Sequence, residues 1–230
     1  MDDFIDCPSP NFDERDQPIS MIVLHYTGMK DAASAIERLR DPDAQVSCHY
    51  LVAEDGQILR MVPEEKRAWH AGESCWRGNR RINSASIGIE IVNPGHEHGY
   101  RPFPDEQIDA LIPLVADIKQ RHGITRGNVV GHSDIAPRRK QDPGELFPWG
   151  KLARLRLALP RPTKNLMDPR WTQGGFLLAL ERFGYDVSDG LAAVVAFQRR
   201  FRPELIDGTI DGECRAILLA LLLPKPQGDE

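Results

Sequence analysis

Apolar residues run unbroken through Met21-Ile22-Val23-Leu24 before the chain reaches His25-Tyr26-Thr27-Gly28. A segment apolar on both faces predicts a strand buried inside a sheet, with His25 at its end. Ser86-Ile87-Gly88-Ile89-Glu90-Ile91-Val92 alternates instead, so Ile87, Ile89 and Ile91 share one face while Glu90 points the other way beside Gly88. Ser47 to Val52 and Gln57 to Val62 flank Glu54-Asp55-Gly56 and predict a hairpin, because Asp-Gly supplies the positive φ of a tight turn. Asp31 is placed to cap a helix through Ile36 and Leu39 that stops before Pro42. Helical spacing of Ile108, Leu111, Ile112 and Val115 predicts a second helix from Asp105 to His122, with Gly123 as its stop and a kink at Pro113. Val129-Val130 is a short strand delivering His132, and Trp69 to Asn83 reads as irregular.

Strands alternating with helices over residues 19–159 predict an α/β domain, a mixed central sheet flanked by helices. Residues 1–18, with Pro8, Pro10 and Pro18, read as a polar N-terminal arm, and residues 160–166 as a linker. Three amphipathic segments follow, Gly175 to Phe183, Gly190 to Phe201 and Gly212 to Leu223, so residues 167–224 predict a small all-α three-helix domain. Residues 225–230 read as a disordered tail.

A net charge of −5 over 230 residues lacks the basic excess that phosphate contacts need, which argues against nucleic acid as a partner. No apolar stretch approaches membrane-spanning length. Met1 to Cys7 carries acids where a secretory signal carries cations, so the expected compartment is the cytoplasm, with the periplasm or cell envelope as the alternative. Cys7, Cys48, Cys75 and Cys214 lie far apart without a CxxC pair and read as reduced thiols. The oligomeric state stays open.

The polar loop from Gly131 to Gly144 holds His132, Asp134, Arg138, Arg139, Lys140 and Asp142 together with Pro137 and Pro143, a composition that excludes a long regular helix and marks a site. Joined to His25, it offers two imidazoles and a carboxylate, His25, His132 and Asp142, which would leave the fourth position of a tetrahedral zinc open for water. Spacing alone leaves a structural role open for each, since no HExxH helix is present.

Five segments carry a resemblance: Val23-Leu24-His25-Tyr26-Thr27, Cys48-His49-Tyr50-Leu51-Val52, Arg67-Ala68-Trp69-His70-Ala71-Gly72, Ser86-Ile87-Gly88-Ile89-Glu90 and the Gly131 to Gly144 loop. In this order they resemble the zinc-dependent N-acetylmuramoyl-L-alanine amidases of the type 2 amidase family, whose fold is shared with peptidoglycan recognition proteins and phage T7 lysozyme. The resemblance implies Zn2+ on His25, His132 and Asp142, catalysis by Glu90 and Lys140, and cleavage of the amide between N-acetylmuramic acid, or its 1,6-anhydro form, and L-alanine. Peptidoglycan or anhydro-muropeptides are then the substrate. Glu90 suits general acid and base work, and Lys140 suits a developing oxyanion. A non-catalytic recognition module lacks a zinc ligand, whereas all three are present here. A scaffold role for the helices would need no metal.

Around this site, Trp69 and His70 are expected to contact substrate, and one of Arg77, Arg80 and Arg81 to grip a stem-peptide carboxylate. His49 and Asp134 are expected to support the ligands from behind. His96 and His98 read as a solvated loop. The C-terminal segments, through Phe183-Gly184-Tyr185, Val194 to Phe201 and Ile206 to Gly212, resemble the three-helix peptidoglycan-binding domain.

Overall fold

The computed structural model describes residues 4–164 and 166–223. In chain order its strands are β1 (Ile5–Asp6), β2 (Phe12–Glu14), β3 (Met21–Tyr26), β4 (Tyr50–Val52), β5 (Ile58–Arg60), β6 (Lys66–Ala68), β7 (Ser86–Ile91) and β8 (Val129–Gly131). Its helices are α1 (Ala32–Arg40), α2 (Ile82–Ala85), α3 (Asp105–Arg121), α4 (His132–Ile135), α5 (Trp149–Arg154), α6 (Gln173–Phe183), α7 (Gly190–Phe201) and α8 (Gly212–Leu222). Six strands form a mixed sheet in the order β1-β5-β4-β7-β3-β8, and β2 pairs with β6 in a separate ribbon. β3, β4, β7 and β8 run parallel, while the hairpin partner β5 is antiparallel to β4.

Alternation along the strands divides the core. Ile22, Leu24, Ile87, Ile89, Ile91 and Val129 pack against Ile108, Leu111, Val115 and Ile118 of α3. That helix runs unbroken through Pro113, which sits on its solvent side. Met21, Val23 and Val130 face the other way and join a cluster with Phe176, Phe183, Val194, Phe197 and Ile217 of α6 to α8. The helical module therefore packs on the second face of the sheet and shares that cluster with it. Arg161, in the expected linker, pairs with Glu204 and Glu213 across that module.

The N-terminal arm is also part of the fold. β1 lies parallel to β5 at the sheet edge, and β2 pairs antiparallel with β6. Its polar side chains serve backbone carbonyls elsewhere in the fold: Ser9 Oγ donates to Leu39 O, and Asn11 Nδ2 donates to Asp41 O at 2.8 Å and Val46 O at 2.9 Å. Polarity here meets the hydrogen-bonding demand of backbone rather than of water. The N-cap read at Asp31 holds, with Oδ1 accepting from Ser34 N–H at 2.8 Å. All four cysteines are free thiols. No helix among the described residues is long and apolar enough to cross a membrane. The tail expected at 225–230 lies outside the described residues.

Candidate metal centre and cavity

Parallel strands end together, and ligands of such sheets gather at their carboxyl ends. His25 and Glu90 are register partners at the ends of β3 and β7. On the other side of β3, β8 ends at Gly131, and His132 opens α4, the one regular turn within the polar loop. Two hydrogen bonds from backbone N–H groups then fold the loop back. Gly131 N–H donates to Asp134 Oδ2 at 2.8 Å, and Ser133 N–H donates to Asp142 O at 2.9 Å, setting Asp142 beside His132. A Cβ on Gly131 would stand 2.7 Å from Pro143 Cδ, so only glycine permits this closure.

His25 Nδ1 lies 2.9 Å from His132 Nδ1, and each lies 3.0 Å from Asp142 Oδ2. All three residues are buried. Three donor atoms that converge this closely can take three corners of a tetrahedral site, whose bonds of about 2.0–2.2 Å set ligand atoms about 3.3–3.6 Å apart, somewhat wider than the separations here. Hydrogen bonding fixes what these atoms carry. His132 Nε2 sits 3.0 Å from Ala71 O, which only accepts, so the proton is on Nε2 and Nδ1 presents a lone pair. A bare nitrogen facing a carboxylate repels it unless a cation lies between them, and the donor set fits a divalent metal. Burial, then the neighbouring His132, pushes the His25 imidazole down to about 4, keeping it neutral as a ligand must be. Burial would raise the Asp142 carboxyl, but His132 and His25 hold it well below the usual range when they donate to it; with their lone pairs turned toward it, a cation would have to supply that attraction.

A cavity of about 350 Å³ opens over the cluster. Glu90 and Lys140 both line it. Glu90 Oε2 is buried without a hydrogen-bond partner among the described residues. Burial, then the Asp142 charge, raises its carboxyl well above the ordinary value, and Lys140 opposes that rise. The site thus pairs a proton-accepting group with a nearby ammonium, both facing space that a substrate can fill.

The remaining candidates are distributed differently from expectation. Trp69 lines the cavity and donates its indole N–H to Asp13 Oδ2 at 2.6 Å. His70 reaches the cavity wall but stands chiefly behind a ligand, its Nδ1 3.1 Å from His25 Nε2. His49 is one layer further back: its Nδ1 accepts from Gly88 N–H at 2.9 Å, and it meets His70 edge-on. Asp134 braces the loop through Gly131 and accepts from Tyr185 Oη–H at 2.6 Å.

Arg77, Arg80 and Arg81 do not line the cavity, contrary to the substrate role expected of them. Their irregular segment turns toward the helical module. Arg77 donates its backbone N–H to Gly184 O, Arg80 pairs with Asp186, and Arg81 pairs with Asp16. The cavity cations are instead Arg38, on α1, with Arg139 and Lys140. The Arg38 guanidinium makes no ion pair among the described residues, and nothing local in the sequence marks it. His96, read as solvated, also lines the cavity; it bonds Tyr26 Oη at 3.0 Å and stacks on Tyr100. His98 is exposed, as expected.

The family profile described as N-acetylmuramoyl-L-alanine amidase matches residues 15–145. The N-acetylmuramoyl-L-alanine amidase AmiD of Escherichia coli is 41% identical over 89% of this chain and 82% of its own length. The 1,6-anhydro-N-acetylmuramyl-L-alanine amidase AmpD of Enterobacter cloacae is 34% identical over 63% of this chain and 85% of its own. Among solved structures, E. coli AmiD in complex with anhydro-N-acetylmuramic acid-L-Ala-D-gamma-Glu-L-Lys superposes with a TM-score of 0.81 at 40% identity, covering 89% of this chain and 88% of that one. AmpDh3 of Pseudomonas aeruginosa with an anhydromuramic pentapeptide gives 0.72 at 33% identity, covering 89% and 91%. A profile spanning more than half of the residues, and a relative matched along most of both lengths, establish that this chain belongs to the N-acetylmuramoyl-L-alanine amidase family.

Proposed function

We propose that the chain hydrolyses the amide between N-acetylmuramic acid, as its 1,6-anhydro form or within peptidoglycan, and L-alanine, with zinc held by His25, His132 and Asp142. The observation that carries this reading is the convergence of three buried donor atoms about 3.0 Å apart at the floor of the cavity that holds Glu90 and Lys140. Zinc bound there supplies a Lewis acid and brings water toward ionisation near neutral pH. Glu90, its carboxyl raised by burial, accepts the proton of the attacking water and returns it to the departing alanine amine. Lys140 sets its ammonium beside the oxygen that gains charge. Arg38, at the cavity wall and without an ion pair among the described residues, offers a stem-peptide carboxylate two parallel N–H donors. The complexes of AmiD and AmpDh3 with anhydromuramoyl peptides support the anhydro form as substrate.

Mass spectrometry of products from an anhydro-N-acetylmuramoyl tripeptide and from sacculi, each with chelator and with zinc restored, tests the proposal. Stem peptides beginning at L-alanine, lost with chelator and regained with zinc, are expected, and the faster substrate separates soluble fragments from polymer. Failure to cut either substrate in zinc overturns it. The module α6 to α8 is proposed to bind peptidoglycan on its resemblance to the three-helix peptidoglycan-binding domain, and co-sedimentation with sacculi tests that role independently of cleavage.

A further inference from the structure

The partners behind both histidine ligands come from two adjacent residues. His25 Nε2 lies 3.1 Å from His70 Nδ1, and His70 Nε2 lies 3.2 Å from Ser86 Oγ. Ser86 has one hydroxyl proton, and it goes to Ile82 O at 2.6 Å. Oγ therefore can only accept from His70 Nε2–H, which leaves His70 Nδ1 bare to accept from His25 Nε2–H. The proton assignment passes from a backbone carbonyl, through two side chains, to His25, whose Nδ1 is left as a lone pair facing Asp142. Ala71, next in sequence, makes the same assignment for His132 through its carbonyl at 3.0 Å.

One side chain holds both residues. Asn83 Oδ1 accepts the backbone N–H of His70 at 3.1 Å and of Ala71 at 2.7 Å. Arg15, from the N-terminal segment, fixes the segment that carries Asn83 by donating to Asn83 O, Ser84 O and Ser86 O. β7 makes room for the ring, since a Cβ on Gly88 would stand 2.3 Å from His70 Cγ.

We propose that His70 and Ala71, pinned by Asn83, form one clip that sets the tautomer and the aim of both metal-ligating histidines, with Ser86 giving the relay its direction. These are positioning residues for the metal. The inference rests on the metal-site reading above. It predicts that changes touching no ligand weaken metal binding, because an outer partner lost from a ligating histidine typically costs about 10–100-fold in affinity.

The test is the zinc dissociation constant of the full chain, measured by competition with a chromophoric chelator, with the visible absorption of the cobalt-loaded chain beside it. His70→Phe, Asn83→Ala and Gly88→Ala are expected to weaken zinc about 10–100-fold and to shift the cobalt bands. His70→Asn, whose amide oxygen takes the place of Nδ1 as acceptor, is expected to stay within a few-fold of the unaltered chain. Ser86→Ala removes a single hydroxyl and is expected to weaken zinc a few-fold, so the relay stays testable if larger changes unfold the protein. Unchanged zinc affinity in Ser86→Ala and in folded His70→Phe overturns the clip, as does equal loss in His70→Asn and His70→Phe. Failure of the unaltered chain to bind zinc would instead remove the metal site itself.

Discussion

Glu90 and His49 show one physical cause, burial, acting with opposite consequences. For Glu90, burial favours the protonated form and gives the carboxylate the basicity that proton transfer needs. Glu90→Gln keeps the shape and removes that basicity, so kcat is expected to fall by about 10²–10⁴ with zinc content unchanged. Loss of zinc in this variant would make Glu90 structural. For His49, burial and then the Arg15 charge push the imidazole down to about 3 from 6.5. Between these values the unfolded chain binds a proton that the folded chain refuses. The His49 contribution to stability is therefore complete above about pH 6.5 and is lost as pH falls toward 3, at up to ~1.4 kcal/mol per pH unit. His49→Gln has no such proton, and urea unfolding between about pH 4.5 and 6.5 should show a shallower slope by roughly 1 kcal/mol per unit. Equal slopes would remove His49 from the account. Arg38→Ala tests the carboxylate grip: KM for the stem-peptide substrate is expected to rise with kcat little changed, the mark of uniform binding lost.

At the scale of elements, the helical module reaches the metal-bearing loop on both sides of Asp142. Arg199 of α7 donates to Glu145 Oε2 and Gln141 Oε1, each at 3.4 Å, while Arg200 lies over the Trp149 ring of α5. Tyr185, in the turn after α6, gives its hydroxyl proton to the buried Asp134. Tyr185→Phe leaves that carboxyl with the Gly131 N–H and one donor fewer, which should cost about 1–3 kcal/mol in chemical unfolding. No loss would show that the turn packs without bracing. Such couplings explain what the sequence made legible. β3, β7 and β8 and the ends that carry His25, Glu90 and His132 follow from local alternation, because one buried face imposes a period of two. Asp142 followed from its loop and from family pattern. Arg15 and Asn11 were not legible as interior groups, since their partners are carbonyls about 30 to 70 positions away and polarity by itself reads as exposure. Arg38 and His96 were missed for the same reason: α1 and the loop after β7 meet only once the sheet has assembled.

At the scale of the molecule, the shared core decides how the chain comes apart. Phe176, Leu180, Phe197 and Ile217 are fully buried in one cluster with Val23 and Ala71, so the module cannot leave the sheet without exposing the face that carries the metal ligands. Separate domains joined by a linker would unfold in separate steps, whereas a common core links their stabilities. Calorimetry of the full chain is expected to give one transition with equal calorimetric and van't Hoff enthalpies. Phe197→Ala, which empties the centre of α7, should cost about 3–5 kcal/mol and lower that transition as a whole. Two resolved transitions, with only one moved by Phe197→Ala, would return the helices to the status of an independent wall-binding domain. A single one makes them a wall of the enzyme, so that any grip they take on polymer bears directly on the loop that holds His132 and Asp142.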